Sequence, residues 1–102
     1  MEEVSNMAAY GYEAITVSST AIGFTTARIT DSLALHGREV KQVIATVETN
    51  PIRFTVDGTT PTSTVGHLLN IGDTVICDGE DARKFRAIRT GSDASLKCTF
   101  EN

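Results

Sequence analysis

Alternating apolar and polar residues predict that much of this chain forms β-strands. Residues 52–56 (IRFTV) place an apolar residue at every second position, which is the period of a half-buried strand. The Asp-Gly pair at 57–58 then predicts a turn, and Pro61 keeps the next segment out of a central ladder. We therefore expect a strand that runs into a threonine-rich loop, residues 59–65, and we expect another protein to order this loop if it is ordered.

The longest alternating segment covers residues 38–49. Its positions Val43, Ala45 and Val47 are predicted to face the core, while Ile44 is an apolar exception on the outer face. Only two residues separate this segment from the strand at 52–56, so we predict that the two strands form a hairpin.

The same reasoning predicts the other strands and the turns between them. Further strands are expected at residues 14–18, 24–30, 66–69, 74–77, 84–89 and 94–100, with turns or connections at 31–37, 70–73, 78–82 and 90–93. Turn signals that recur about every 8–12 residues are typical of a sandwich or barrel. No segment shows a well-capped helical period, so the predicted fold is all-β: a small antiparallel Ig-like β-sandwich of residues 13–102, preceded by an N-terminal arm of residues 1–12.

Composition narrows the class of protein. The chain has 102 residues, which is one domain, a net charge of −4 and a pI near 5.0. An acidic chain gains no counterion release from a phosphate backbone, so we expect no nucleic-acid partner. It has no apolar run of bilayer length and no basic and apolar leader at its N-terminus, so we expect no membrane contact and no secretory signal.

The residues that usually carry chemistry are scattered. Cys77 and Cys98 lie at apolar-face positions of strands and are interpreted as buried thiols, with a disulfide between neighbouring strands as the alternative. His36 and His67 each stand beside a glycine without a nucleophile motif. The acidic residues at 73–81 do not have the spacing of a calcium loop and are interpreted as solvated turns. We predict no catalytic residue, no metal, no cofactor and no enzymatic activity.

Three groups of residues are candidates for binding a partner. Tyr10 and Tyr12 supply large contact areas in the arm. The basic segment 83–89 is either a charged edge strand or a subunit interface whose arginines meet carboxylates of a neighbour. The third group is the threonine-rich loop 59–65. Together, the predicted partner-binding residues are Tyr10, Tyr12, Thr59, Thr60, Thr62, Arg83, Arg86 and Arg89.

Two resemblances add to these expectations. The segment 52–62, IRFTVDGTTPT, looks like the YTTDGSxPT signature of chitobiase C-terminal-type Ig-like modules, in which a later strand resembles residues 85–89, FRAIR. This resemblance implies an Ig-like sandwich. Residues 14–100 as a whole, with TSTVGHLL at 62–69 and FRAIRTG at 85–91, are similar to small proteins encoded among the structural genes of tailed bacteriophages.

The second resemblance implies a virion component made in the host cytoplasm. Sandwich proteins of this size in phages are often capsid decoration proteins, so we expect a decoration or cement protein that binds the assembled shell. Its expected partners are the major capsid protein or other virion proteins, with the chain present as a homo-oligomer or in many copies on a symmetric particle. The alternatives are a neck, tail or head-fibre accessory protein and a carbohydrate-binding module for host adsorption.

Overall fold

The computed structural model describes residues 8–29 and 40–102, with Ala27 and Arg28 described by their backbone alone. The strands in these ranges are β1 (Ala9–Val17), β2 (Gln42–Glu48), β3 (Ile52–Thr55), β4 (His67–Leu69), β5 (Thr74–Asp78), β6 (Arg86–Arg89) and β7 (Ala94–Glu101). The helices are α1 (Thr26–Ile29) and α2 (Gly79–Lys84). The sequence predicts an all-β fold, and the structure is mostly β, with two short helices among the described residues.

The strands form two antiparallel sheets that pack as a sandwich. Sheet A has the order β1-β7-β2-β5, and sheet B has the order β4-β3-β6. The last strand, β7, lies between β1 and β2, and its alternate residues Ala94, Leu96, Cys98 and Phe100 are at most 2% exposed. The predicted core positions of β2 are confirmed as fully buried. Alternation thus predicted the core face of β2 and β7 correctly.

A chain of aromatic contacts joins the two sheets. Phe24 stacks on Phe85 with ring centroids 4.3 Å apart, and its ring meets the edge of Phe100 at 5.8 Å. Phe54 of sheet B stacks on Phe85 at 5.7 Å. Phe85 and Phe100 are buried, whereas Phe54 is only half-buried.

The predicted hairpin between β2 and β3 is wrong. These strands belong to different sheets, so the two-residue link crosses from one sheet to the other. Thr49 takes a positive φ of 76°, and the Asn50 amide donates to the Glu48 carbonyl at 3.0 Å, which is a tight γ-type turn. The Asn50 side chain also donates to the Asp93 carbonyl at 2.8 Å. This turn redirects the chain where a hairpin would have kept it in one sheet.

Two predicted strands contain helices instead. Residues 26–29 of the predicted strand 24–30 form α1, and Thr30 lies outside the described residues, as does the predicted connection 31–37 with His36. The second helix, α2, begins after Asp78 within the predicted turn at 78–82. It ends at Lys84, where the next strand was predicted to start. The Asp78 carboxylate accepts from the Asp81 amide at 2.8 Å and so caps the helix. Acidic residues in the first turn and basic residues in the last turn suit the helix dipole.

β1 is longer than predicted. It begins at Ala9, whereas the sequence predicts a strand from residue 14, so Tyr10 and Tyr12 belong to a paired strand and not to an arm. Residues 1–7 lie outside the described part. Beyond β1 the chain passes to sheet B, where Ile22 forms an antiparallel bridge with Ala87. The N-terminal segment therefore connects the two sheets.

Candidate interaction surfaces

The predicted partner-binding residues do not form one surface. A register shift between Ala9 and Gly11 sends the two tyrosines to different sides of sheet A. The Tyr10 ring packs against the core, 6.3 Å from the ring of Phe100, and is half-buried. Tyr12 is 56% exposed on the outer face. Of this pair, Tyr12 is the one placed to meet a partner.

Tyr12 begins an uncharged row across the outer face of sheet A. The strand registers place Tyr12 beside Thr99, Thr99 beside Ile44, and Ile44 beside Ile76. Ile76 is 62% exposed at the far edge. The uncharged row therefore spans all four strands of sheet A. We call it the outer row; its members are Tyr12, Thr99, Ile44 and Ile76.

Polar residues flank the outer row. On one side, Gln42 donates to Glu101 at 2.6 Å. On the other, the hydroxyls of Thr46 and Thr74 are 3.0 Å apart. Interface cores are depleted of charge and enriched in aromatic residues, whereas rims are polar. The outer face of sheet A has this arrangement.

Part of the outer face of sheet B is covered by the chain itself, although Leu68, which pairs with Arg53, is 45% exposed. The Arg53 guanidinium donates to the carbonyls of Ser63 (3.4 Å) and Gly66 (3.2 Å), and Thr55 donates its hydroxyl proton to the Thr59 carbonyl. Pro61 in the same loop is fully buried. The expectation that another protein orders the loop 59–65 is therefore unnecessary, because Arg53 and Thr55 hold it.

The threonines predicted to bind a partner lie on the exposed side of this loop. Thr59, Thr60 and Thr62 are all exposed. The Thr59 amide donates to the Asp57 carboxylate at 3.0 Å, which lowers the pKa of that carboxyl below its ordinary value. The Thr62 hydroxyl oxygen accepts from the Val65 amide at 3.0 Å. These local hydrogen bonds shape the loop without a partner.

The three predicted arginines separate into two groups. Arg89 donates to the Asp93 carboxylate at 2.6 Å, and this contact holds the pKa of Asp93 below its ordinary value. Arg83 and Arg86 are exposed and line one open groove between α1 and α2. We call it the α1–α2 groove; it has a volume of about 500 Å³. Its walls come from α1 and the residues that precede it, and from α2 and the two residues that follow it.

The two thiols have only a structural role in this fold. β2 lies between β5 and β7, because Val43 pairs with Cys77 and Ala45 pairs with Cys98. Strands two places apart are about 9–10 Å apart, beyond the roughly 7 Å limit for a disulfide. Both cysteines are free and buried, and burial raises the pKa of Cys77 to about 11 and of Cys98 to about 12. The alternative of a disulfide between them is wrong.

The carboxylates at 73–81 serve the backbone. Asp78 caps α2, and Asp73 accepts from the Asn70 amide at 2.8 Å. Within residues 8–29 and 40–102, no group of three or more potential ligands could hold a metal ion. None of the described helices is long and apolar enough to cross a bilayer.

Sequence reasoning missed the outer row as a surface. Ile44 was visible as an apolar residue at an outward position, but Tyr12 was assigned to the arm. Only the registers of three strand pairs align these side chains. Comparison of the chain with protein-family models, with curated proteins and with solved structures found no match.

Proposed function

We propose that this chain is a structural protein of a tailed-bacteriophage virion and binds the assembled capsid shell as a decoration or cement protein. The outer row is the observation that carries the proposal. Tyr12 and Ile76, at 56% and 62% exposed, end an uncharged row on a four-stranded sheet. Outward-facing sheet positions in contact with water are normally polar. An uncharged row with a polar rim fits contact with a second protein.

The resemblance of residues 14–100 to phage structural-gene products supplies the virion context. In this proposal the sandwich is Ig-like, and it lies rigidly across neighbouring capsid subunits. A protein that binds the assembled shell and not the free subunits stabilises assembly by mass action. The chain then needs no chemistry of its own, only a stable face.

The carbohydrate-binding alternative has less support. Stacking on sugars needs exposed aromatic rings, and the chain has four phenylalanines and two tyrosines, all in the described part. Three of the phenylalanines are buried, and Phe54 and Tyr10 are half-buried. Tyr12 is the single exposed ring, so it could not form a platform with another ring. Specific binding on a glycan array would favour this alternative.

The position of the protein on purified virions tests the proposal. Cryo-electron microscopy should show copies distributed over the whole head. Copies confined to one vertex would favour a neck or tail role, and a particle without the protein would contradict a virion function.

A matched pair of variants tests the outer row. Ile76→Glu places a charge in the outer row, and Ile71→Glu places one in a turn at nearly equal exposure, 59%. We expect Ile76→Glu to weaken binding to particles that lack the protein by about 10- to 100-fold. Ile71→Glu should bind like the wild type, measured by co-sedimentation. Equal binding by both variants would exclude the outer row as the contact.

A further inference from the structure

The α1–α2 groove is distinct from the outer row and has its own chemistry. Its floor contains apolar side chains, and its rim contains arginines. We propose that the groove binds an extended acidic segment of another protein, with one apolar side chain of that segment packed against the exposed side chain of Ile22. This inference deepens the proposed function, on which it rests for the identity of the partner as a virion protein.

The floor is suited to a bulky apolar side chain. Phe24 and Phe85 stack with a centroid distance of 4.3 Å and an interplanar angle of 10°, and both line the groove. Ile22 is 40% exposed beside them. A volume of about 500 Å³ lies within the range of small-ligand pockets, roughly 300–1,000 Å³. One large side chain and part of its backbone would therefore fit.

The groove is preformed by close backbone packing. A Cβ atom at Gly23 would lie 2.7 Å from the Phe85 carbonyl oxygen, so only glycine allows the segment to approach α2 this closely. Directly before Gly23, the backbone of Ile22 is fixed by two hydrogen bonds with the backbone of Ala87, at 2.9 and 2.8 Å. Rigid walls reduce the ordering cost of binding.

The rim selects the charge of the occupant. Arg86 is exposed and makes no hydrogen bond or ion pair with any described residue, and its stem passes 3.8 Å from the Cβ position of Gly23. Arg83 contacts Glu80 at 3.5 Å, an exposed pair that contributes little. Guanidinium groups bind carboxylates in bidentate geometry. An acidic segment is therefore attracted to these guanidinium groups, although the chain as a whole has a charge of −4.

Peptide binding in solution tests the inference without any virion. The probe is a fluorescein-labelled eight-residue acidic peptide with one central phenylalanine, titrated with the full chain and followed by fluorescence anisotropy. Two comparison peptides replace either the acidic residues by glutamine or the phenylalanine by glycine. We expect the probe to bind more tightly than either comparison peptide, and binding to weaken as salt rises.

Two charge reversals form the matched pair. Arg86→Glu and Lys84→Glu change the net charge equally, but Lys84 does not line the groove. Arg86→Glu should reduce affinity by about tenfold or more and Lys84→Glu by less than about twofold. Ile22→Ser should also weaken binding, by about tenfold, through loss of apolar contact. Circular dichroism should show that all three variants remain folded.

Each other outcome overturns the inference. No binding of the probe, or equal loss in Arg86→Glu and Lys84→Glu, would show that the groove does not select an acidic segment. Self-association of the chain that Arg86→Glu abolishes, measured by analytical ultracentrifugation, would assign the groove to a second copy instead. A failed peptide titration leaves the location on virions unaffected, so the two proposals can fail separately.

Discussion

The outer faces of the two sheets differ in what covers them. Sheet B turns Arg53 and Thr55 outward, and the loop 59–66 folds over them. Sheet A turns the outer row outward, and Tyr12 and Ile76 at its ends stay exposed. The chain itself covers Arg53 and Thr55 on sheet B, where Leu68 stays 45% exposed, whereas the outer row of sheet A has no such cover from the described residues.

This difference shows that polar composition alone does not identify a binding surface. The loop was the more polar segment and was expected to need another protein, yet its contacts are satisfied within the chain. Among the apolar residues of sheet A, Tyr12 was assigned to the arm and Ile44 was noted only as an outward-facing exception. Polar groups that already form hydrogen bonds within the chain gain little from a partner. Burial of the uncovered outer row, in contrast, would contribute favourable free energy to binding.

We expect the largest loss of stability from a substitution in the core that the two sheets share. Phe85 is 2% exposed and contacts both Phe24 and Phe54. We expect Phe85→Ala to lower the free energy of unfolding by about 3–5 kcal/mol, measured by urea denaturation. Phe54→Ala should cost about 1–2 kcal/mol, because this ring is half-buried. Equal losses in the two variants would contradict the half-buried position of Phe54.

Substitution of one basic residue on each outer face tests the difference between the two sheets. Arg53 holds the loop on sheet B, whereas Lys97 on the outer face of sheet A contacts Glu48 at 3.9 Å in an exposed pair. Arg53→Ala should cost about 1–2 kcal/mol, since it removes charge-assisted hydrogen bonds to two carbonyls. It should also speed hydrogen exchange in residues 59–66.

Lys97→Ala is the control for this pair. It should cost less than about 0.5 kcal/mol, as exposed salt bridges usually do. Unchanged exchange in the loop of Arg53→Ala would contradict the view that the chain orders this loop by itself.

The smallest expected effect is a pH dependence in the loop on sheet B. The Thr59 amide lowers the pKa of Asp57, so ionised Asp57 stabilises the fold above its unfolded pKa of about 3.9. That contribution is lost as the pH falls through the folded pKa. Asp57→Asn keeps an acceptor oxygen but cannot titrate. The melting temperature of the wild type relative to Asp57→Asn should therefore decline between about pH 5 and pH 2.

A constant difference between the two proteins across this range would contradict the assignment. Asp93 also has a lowered pKa, because Arg89 contacts it at the turn before β7. Its titration occurs in both proteins, so it cancels in the difference.

Local patterns predicted local features well. Val43, Ala45 and Val47 were identified as core residues because period-two alternation depends only on neighbouring positions. The edge strand β4 and the turn at 70–73 also follow from short-range signals. The prediction failed for residues 79–84, which were assigned to a turn and to the start of a strand, although Asp78 and the order of the charges favour a helix.

The sequence by itself determined that this chain is a small β-rich domain and which faces of β2 and β7 are buried. Tertiary structure decided which strands pair, that the link after β2 crosses between sheets, and that Arg53 holds the loop. It also aligned Tyr12, Ile44 and Ile76 in one row. Alternation is encoded residue by residue, whereas pairing and coverage depend on contacts between segments far apart in the chain.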